Sequence, residues 1–357
     1  MDVFVCGGCG AELTVPVEEV VLPVHARQHV GHDRLPALMA PGTYAVDPEP
    51  AAWPWRRWDE VGSDEAAARG VFAPVEVLPY GPVGAVVVAP GDTRGTVLLP
   101  ERCDGYCLGI DGRDGPNLAC EACGRAVATR QDDCSLWQAV WLDPREVRRV
   151  PGARRVVWGW EELAARWDAA PPVEPRHHWW EPGRGVDIDL WSPRWEAAVG
   201  AALVHLLVAA DGEPVCLLGG GLLTDVFGAA LDRLLPAGRP VRTVGLAGPG
   251  LDSGADIVVV PVHPQTGEVW QPERAAGVVP LDASVWLYLA FMPPDRDVLP
   301  VPASGGMPEG VWRDHQTSDV PRSALFRPDW RVFRRRLARH PAVRRPWLRA
   351  IHDRRGL

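Results

Sequence analysis

Eight cysteines stand in a chain of 357 residues, and four of them fall into two matched runs, Cys6-Gly7-Gly8-Cys9-Gly10 and Cys120-Glu121-Ala122-Cys123-Gly124. Two thiolates separated by two residues let one tight turn aim both sulfurs at one ion, and the glycine that follows supplies the positive φ that continues the turn. The runs read as halves of a single metal site. Four thiolates at about 2.3 Å around a tetrahedral ion are the ligand set of structural zinc, which makes Zn the expected cofactor. Each run also leads into strand-like sequence, residues 11–15 after the first and 125–129 after the second.

Cys103 and Cys107 leave a second ligand set open, because with Cys120 and Cys123 they place four cysteines within 21 residues. The matched runs rank Cys6, Cys9, Cys120 and Cys123 first and the compact set second, with a mixed set or two metals behind them. Cys134 and Cys216 lie in apolar stretches and read as buried thiols. Four sulfurs would close the coordination sphere, which argues against catalysis by the metal. No HExxH run occurs, and Cys120 follows Ala119 with no His-x-Glu upstream, unlike the zinc deaminases.

The paired CxxCG runs resemble the knuckles of zinc ribbons. The resemblance covers only those two short stretches. It implies a metal and leaves activity open, since zinc ribbons serve as nucleic-acid binders, as protein-docking modules and as structural clips inside enzymes.

Other residues offer weaker chemistry. Gly219, Gly220 and Gly221 sit between an apolar run and a helical pattern, where amides at a helix start could hold the phosphate or carboxylate of a cofactor or other small molecule. The third glycine of a dinucleotide fingerprint is replaced by Thr224, and no P-loop lysine follows, so a close-packed turn is the favoured reading. Asp225, Asp256 and His263 could converge, but nothing in the sequence brings them together. His25, His29 and His32 have helical spacing without a sustained apolar period and read as ordinary histidines. Asp111, Asp114 and Asn117 lack the spacing and closing glutamate of an EF-hand.

Composition bounds the rest. With 46% apolar and 23% charged residues the chain is expected to fold as an ordinary globular protein. All 37 basic residues are arginine, which with abundant Ala, Gly and Pro reads as the codon bias of a GC-rich bacterial genome. The net charge of −9 divides unevenly: residues 321–357 carry +10 and the other 320 carry −19. In that tail Trp330, Phe333, Leu337, Val343, Trp347 and Ile351 keep helical spacing around Pro341, with arginines between them. Such a helix can bind nucleic acid, an anionic membrane or an acidic partner, or dock on its own acidic body, and docking on the body is the favoured reading. The start has no basic leader and no apolar run reaches the roughly twenty residues of a membrane span, so a cytoplasmic protein is expected.

These features require elements to position them. Short extended segments broken by proline fill the first 60 residues, and the indoles of the Trp-rich stretch from Trp53 to Trp58 are expected to cover the core. Residues 85–88 and 96–99 are expected to form a hairpin. Beyond a Pro-rich linker near residue 170, Ser192 and Pro193 cap a helix, and strands over 215–218, 241–246 and 257–262 alternate with a helix over 223–235. Residues 284–291 form a further strand or a buried helix. The expected fold is α+β: a β-rich zinc-ribbon-like region over 1–167, a small α/β layer over 168–320 and a basic helical tail over 321–357. The expected function is a non-enzymatic, zinc-binding protein acting on an unknown macromolecular partner. An enzyme using the glycine loop and a nucleic-acid binder using the tail are the alternatives.

Overall fold

Valine-rich runs with a period of two build the first half. The strands are β1 (Val3–Cys6), β2 (Glu18–Glu19), β3 (Thr43–Val46) and β4 (Trp55–Arg57), followed by two short helices, α1 (Trp58–Val61) and α2 (Ser63–Ala68). Strands β5 (Val77–Pro79), β6 (Val86–Val88), β7 (Thr96–Leu98), β8 (Leu118–Cys120), β9 (Ala126–Gln131), β10 (Ala139–Leu142) and β11 (Val147–Val150) come next, and α3 (Trp160–Arg166) closes the region. Seven strands form one sheet in the order β2-β3-β6-β10-β9-β8-β7, while β1 pairs with β11 in a separate two-stranded ribbon. Alternation divides the side chains: Val86 and Val88 join Phe4, Tyr44 and Leu13 in one core, and Val87 faces Trp137 and Met39 in another.

This computed structural model describes residues 1–31, 34–50, 54–105, 107, 109–153, 155–172, 191–291 and 326–354. His32, Trp53, Arg154 and the run His177-His178-Trp179-Trp180 lie outside the described residues, as do the last part of the α/β layer and the start of the tail.

The second half opens with α4 (Pro193–Ala210), capped as its sequence requires: the Ser192 hydroxyl accepts from the Arg194 amide, Pro193 is the first helical residue, and Asp211 ends the helix in the left-handed conformation. There follow β12 (Val215–Leu217), α5 (Gly221–Leu234), β13 (Arg242–Gly248), β14 (Leu251–Asp252), β15 (Ile257–Val262), β16 (Gly277–Asp282) and α6 (Ala283–Phe291). β12, β13, β15 and β16 make a parallel sheet in that order, with β14 antiparallel to β13. The tail supplies α7 (Trp330–Arg339) and α8 (Pro346–Asp353). The architecture is α+β, with a β-rich first half, a parallel sheet flanked by helices, and basic helices at the end.

Two expectations change, and one alternative left open is answered. Strands β6 and β7 do not form a hairpin: β6 lies between β3 and β10, and β7 lies at the far edge beside β8. The segment between them turns at Pro90 to Asp92, where the Asp92 carboxylate accepts from the Gly42 amide and its carbonyl from the Val15 amide, so the chain is held across the sheet. Residues 283–291 are a helix, and the fourth parallel strand is β16, which Pro280 disguised; as an edge strand it tolerates the missing donor. In the Trp-rich stretch Trp58 packs on the core, but Trp55 is 48% exposed.

One of the cores joins the two halves. Val61, Ala66, Val71, Ala73 and Leu78, from the arm between β3 and β6, are buried with α4, α5 and the tail. The Phe72 amide donates to the Ala338 carbonyl. Phe333, Leu337, Val343, Leu348 and Ile351 are all buried, so the apolar face of the tail is docked on its own protein. Gly200 makes that docking close: a Cβ there would stand 2.6 Å from the Asp329 carbonyl oxygen, just where the tail enters α7.

Candidate metal centre

Each CxxCG run forms the same turn at the end of a strand. Cys6 ends β1 and Cys120 ends β8. The Cys6 amide donates to Ala11 and the Gly10 amide donates back to Cys6; in the second run Cys120 donates to Arg125 and Gly124 to Cys120. All four bonds measure between 2.8 and 2.9 Å. Gly10 and Gly124 have φ values of 78° and 71°, a region that costs any residue with a Cβ. The second turn joins β8 to β9, whereas the first leads only into single bridges, Val5 to Glu12 and Thr14 to Thr93.

The turns face each other because β1 lies across the sheet, packed through Phe4 and Cys6 on the side chains of β8, β9 and β10. The Gly7 amide donates to the Glu146 carbonyl, and Arg125 pairs with the Glu146 carboxylate at 2.7 Å, which fastens the first turn beside the second. Cys6 Sγ lies 3.6 Å from Cys123 Sγ, and Cys9 Sγ lies 3.6 Å from Cys120 Sγ. All four sulfurs are within 4.8 Å of one another. Cys6 and Cys120 are buried and Cys9 and Cys123 exposed, so the site opens to solvent on one side.

Burial alone would raise the Cys6 thiol, but the Cys9 and Gly8 amides and the neighbouring thiols of Cys123 and Cys9 outweigh it and hold the group at about 7. Cys120 is raised, chiefly by burial. The Arg125 amide lowers Cys123, but the Cys9 thiol, burial, and the Cys6 and Cys120 thiols together push it up to about 11. Four sulfurs crowded together cannot all ionise without a cation among them. The group can hold a metal ion.

The remaining cysteines lie elsewhere. Cys103 donates to the Leu99 carbonyl, and among the described residues neither it nor Cys107 joins Cys120 and Cys123. Cys107 instead groups with Asp133 and Cys134, a set that sequence spacing did not disclose. Cys134 is buried as expected, and burial together with Cys107 and Asp133 pushes its thiol up to about 12. Cys216 is exposed, contrary to expectation: β12 is an edge strand, and alternation turns Cys216 outward while Val215 and Leu217 are half-buried.

Histidines contribute no ligand group among the described residues. His25 is buried 4.4 Å from Trp137, ring to ring, and its Nε2 has no hydrogen-bond partner. Gly219, Gly220 and Gly221 have φ values of 92°, 60° and 58°, so the backbone conformation itself accounts for three consecutive glycines. The loop is exposed, and a Cβ at any of the three would meet nothing within 4 Å. Asp256 and His263 do not converge: the Asp256 carboxylate accepts from the Thr243 amide and hydroxyl, and His263 bonds to the Trp158 carbonyl.

A cleft of about 1140 Å³ lies between the first sheet and the tail, lined on its polar side by Arg27, Asp47, Glu49, Arg331, Arg335 and Arg339. Its charges are largely matched internally. Arg27 pairs with Asp47, and Arg335 and Arg339 both pair with Glu49. Arg345 reaches Asp211 at the end of α4, at 2.6 Å. Thus part of the positive charge of the tail is spent on its own acidic body.

No protein-family model, curated protein or solved structure matches this chain. Among the described residues, no helix is long and apolar enough to cross a membrane.

Proposed function

We propose that this chain is a zinc-binding protein in which one ion on Cys6, Cys9, Cys120 and Cys123 is a structural staple, and that it acts without catalysis, through contact with a macromolecular partner. The observation that carries the zinc reading is the pair of 3.6 Å sulfur separations. A tetrahedron with metal–sulfur bonds of about 2.3 Å has edges of about 3.8 Å, close to what the side chains already adopt. Four thiolates leave no position for a substrate, and they need a reducing compartment such as the cytoplasm. The partner reading is supported by apolar side chains left in solvent: Val156 is 73% exposed and Val157 52%, just beyond the β1–β11 ribbon.

The zinc content of the purified protein tests the staple. Cys120→Ser combined with Cys123→Ser is expected to remove one equivalent per chain relative to the unaltered protein. Full retention of zinc by that variant overturns the ligand assignment.

A further inference from the structure

Outside the four-cysteine centre, two segments of the chain meet at the far end of β9. The chain after Gln131 turns sharply: the Leu136 amide donates to the Asp133 carbonyl, and Ser135 takes a φ of 73°, one of two non-glycine residues in the left-handed region among those described. This turn is fastened from outside by the Val30 amide, which donates to the Ser135 carbonyl. It carries Asp133 and Cys134 inward, to 5% and 6% exposure. Asp132 points elsewhere and pairs with Arg130 at 2.8 Å.

The loop between β7 and β8 comes to meet them. Asp132 and Ile110 form an antiparallel bridge, in which the Asp132 amide donates to the Ile110 carbonyl at 2.7 Å. Just before that bridge the Gly105 amide donates to the Gly109 carbonyl at 3.0 Å. A Cβ on Gly105 would lie 2.6 Å from the Gly109 carbonyl carbon, so only glycine lets the loop close this tightly. Cys107 sits inside that closed loop, and its sulfur, the Cys134 sulfur and an Asp133 carboxylate oxygen lie within 4.8 Å of one another.

We propose that Cys107, Asp133 and Cys134 form a second metal site, which takes a thiophilic divalent cation of the zinc class. It shares no ligand with the first. Two thiolates select a soft or borderline cation over magnesium or calcium, and the carboxylate is a normal zinc ligand beside them. Three protein ligands differ in consequence from four: they leave one coordination position for water or an exchangeable anion. Cys107 is exposed while its two partners are buried, so that position is reachable from solvent on the Cys107 side. The first centre is closed by sulfur, and the second is open to ligand exchange.

Metal counting on the full chain, prepared under reducing conditions without chelator, tests this. The unaltered protein is expected to hold two zinc ions per chain. Cys107→Ser and Asp133→Asn should each hold one, Cys9→Ser combined with Cys123→Ser should also hold one, and Cys103→Ser, whose thiol bonds a carbonyl instead, should hold two. Cobalt(II) titration of the unaltered protein reads the same question without substitution: thiolate-to-cobalt absorption should grow through two equivalents, and azide should shift the spectrum of the cobalt that Cys107→Ser loses. One zinc per chain in the unaltered protein that Cys107→Ser retains overturns the proposal, as does a count of two that Cys107→Ser leaves unchanged. Recovery of a Cys107–Cys134 disulfide from the reduced, zinc-supplemented protein also overturns it, and a cobalt spectrum indifferent to azide overturns the open position. A failure confined to the Cys9 and Cys123 variant counts against the first centre alone.

Discussion

Cys6 and Cys123 are 117 residues apart in sequence, and their sulfurs are 3.6 Å apart in the fold. An ion between them would close a loop that contains the arm from β3 to β6 and most of the seven-stranded sheet. Closing a long loop costs chain entropy that grows slowly with length, and a structural zinc returns far more than that cost. The expected outcome of stripping the metal with a strong chelator is therefore a loss of order in the first half. Limited proteolysis should show new cleavage between Cys9 and Cys120, and re-addition of zinc should suppress it.

The two turns depend on glycine at their fourth step. Gly124→Val places a β-branched residue at a φ of 71°, which costs on the order of 1–3 kcal/mol. Zinc affinity measured by competition with a chromogenic chelator should fall about ten-fold or more. Gly31→Ala, at a position of ordinary φ with open space around it, should leave both affinity and stability unchanged.

Docking of the tail rests on Gly200 and on the side chains α7 buries. Phe333→Ala is expected to lower stability by about 3–5 kcal/mol, read from the denaturant midpoint. Gly200→Val should push the tail away from α4 through its clash with the Asp329 carbonyl, and trypsin should then release arginine-rich tail peptides faster than from the unaltered protein.

Glu49 holds two arginines of the tail, Arg335 and Arg339. Burial raises its carboxyl, but the Arg335 and Arg339 charges outweigh burial and bring it below its ordinary value. Glu49→Gln should cost about 1.5–3 kcal/mol at neutral pH, since it weakens charge-assisted bonds in a half-buried site. Thermal unfolding at low and high salt should show the loss in both, because the pair is shielded from bulk ions.

His25 is held down at about 3, by burial first and by the charge of Arg194 second. An unfolded histidine titrates near 6.5, so between about pH 3 and 6.5 the unfolded chain binds a proton that the folded chain refuses. The contribution is complete above pH 6.5 and is lost as pH falls, by up to about 1.4 kcal/mol per pH unit. His25→Phe, which keeps the ring beside Trp137, should flatten the dependence of the denaturant midpoint between pH 7.5 and 5 relative to the unaltered protein.

Much of this was legible in local sequence. Ser192 and Pro193 announce the start of α4, because an N-cap hydroxyl and a fixed φ act within one turn of the helix. The CxxCG runs announce their own turns for the same reason. The alternating apolar runs of the second half disclose β12, β13 and β15, although Pro280 hid β16 and the sequence left open whether residues 284–291 were strand or helix. What a chain cannot carry locally is which distant pieces meet. Strand order separates β6 from β7, which are neighbours in sequence, and that order follows from core packing and from the hydrogen bonds of Asp92, none of which leaves a local mark. Edge position decides that Cys216 faces water. The meeting of Cys107 with Asp133 and Cys134 depends on a bridge from Ile110 to Asp132 and a left-handed turn at Ser135, so their spacing alone has no pattern to read. The amino-acid sequence determined the ligand turns, the caps and the alternation, since these act over a few residues. Only the tertiary structure decided which thiols lie together, because that choice is made by packing between elements distant in the sequence.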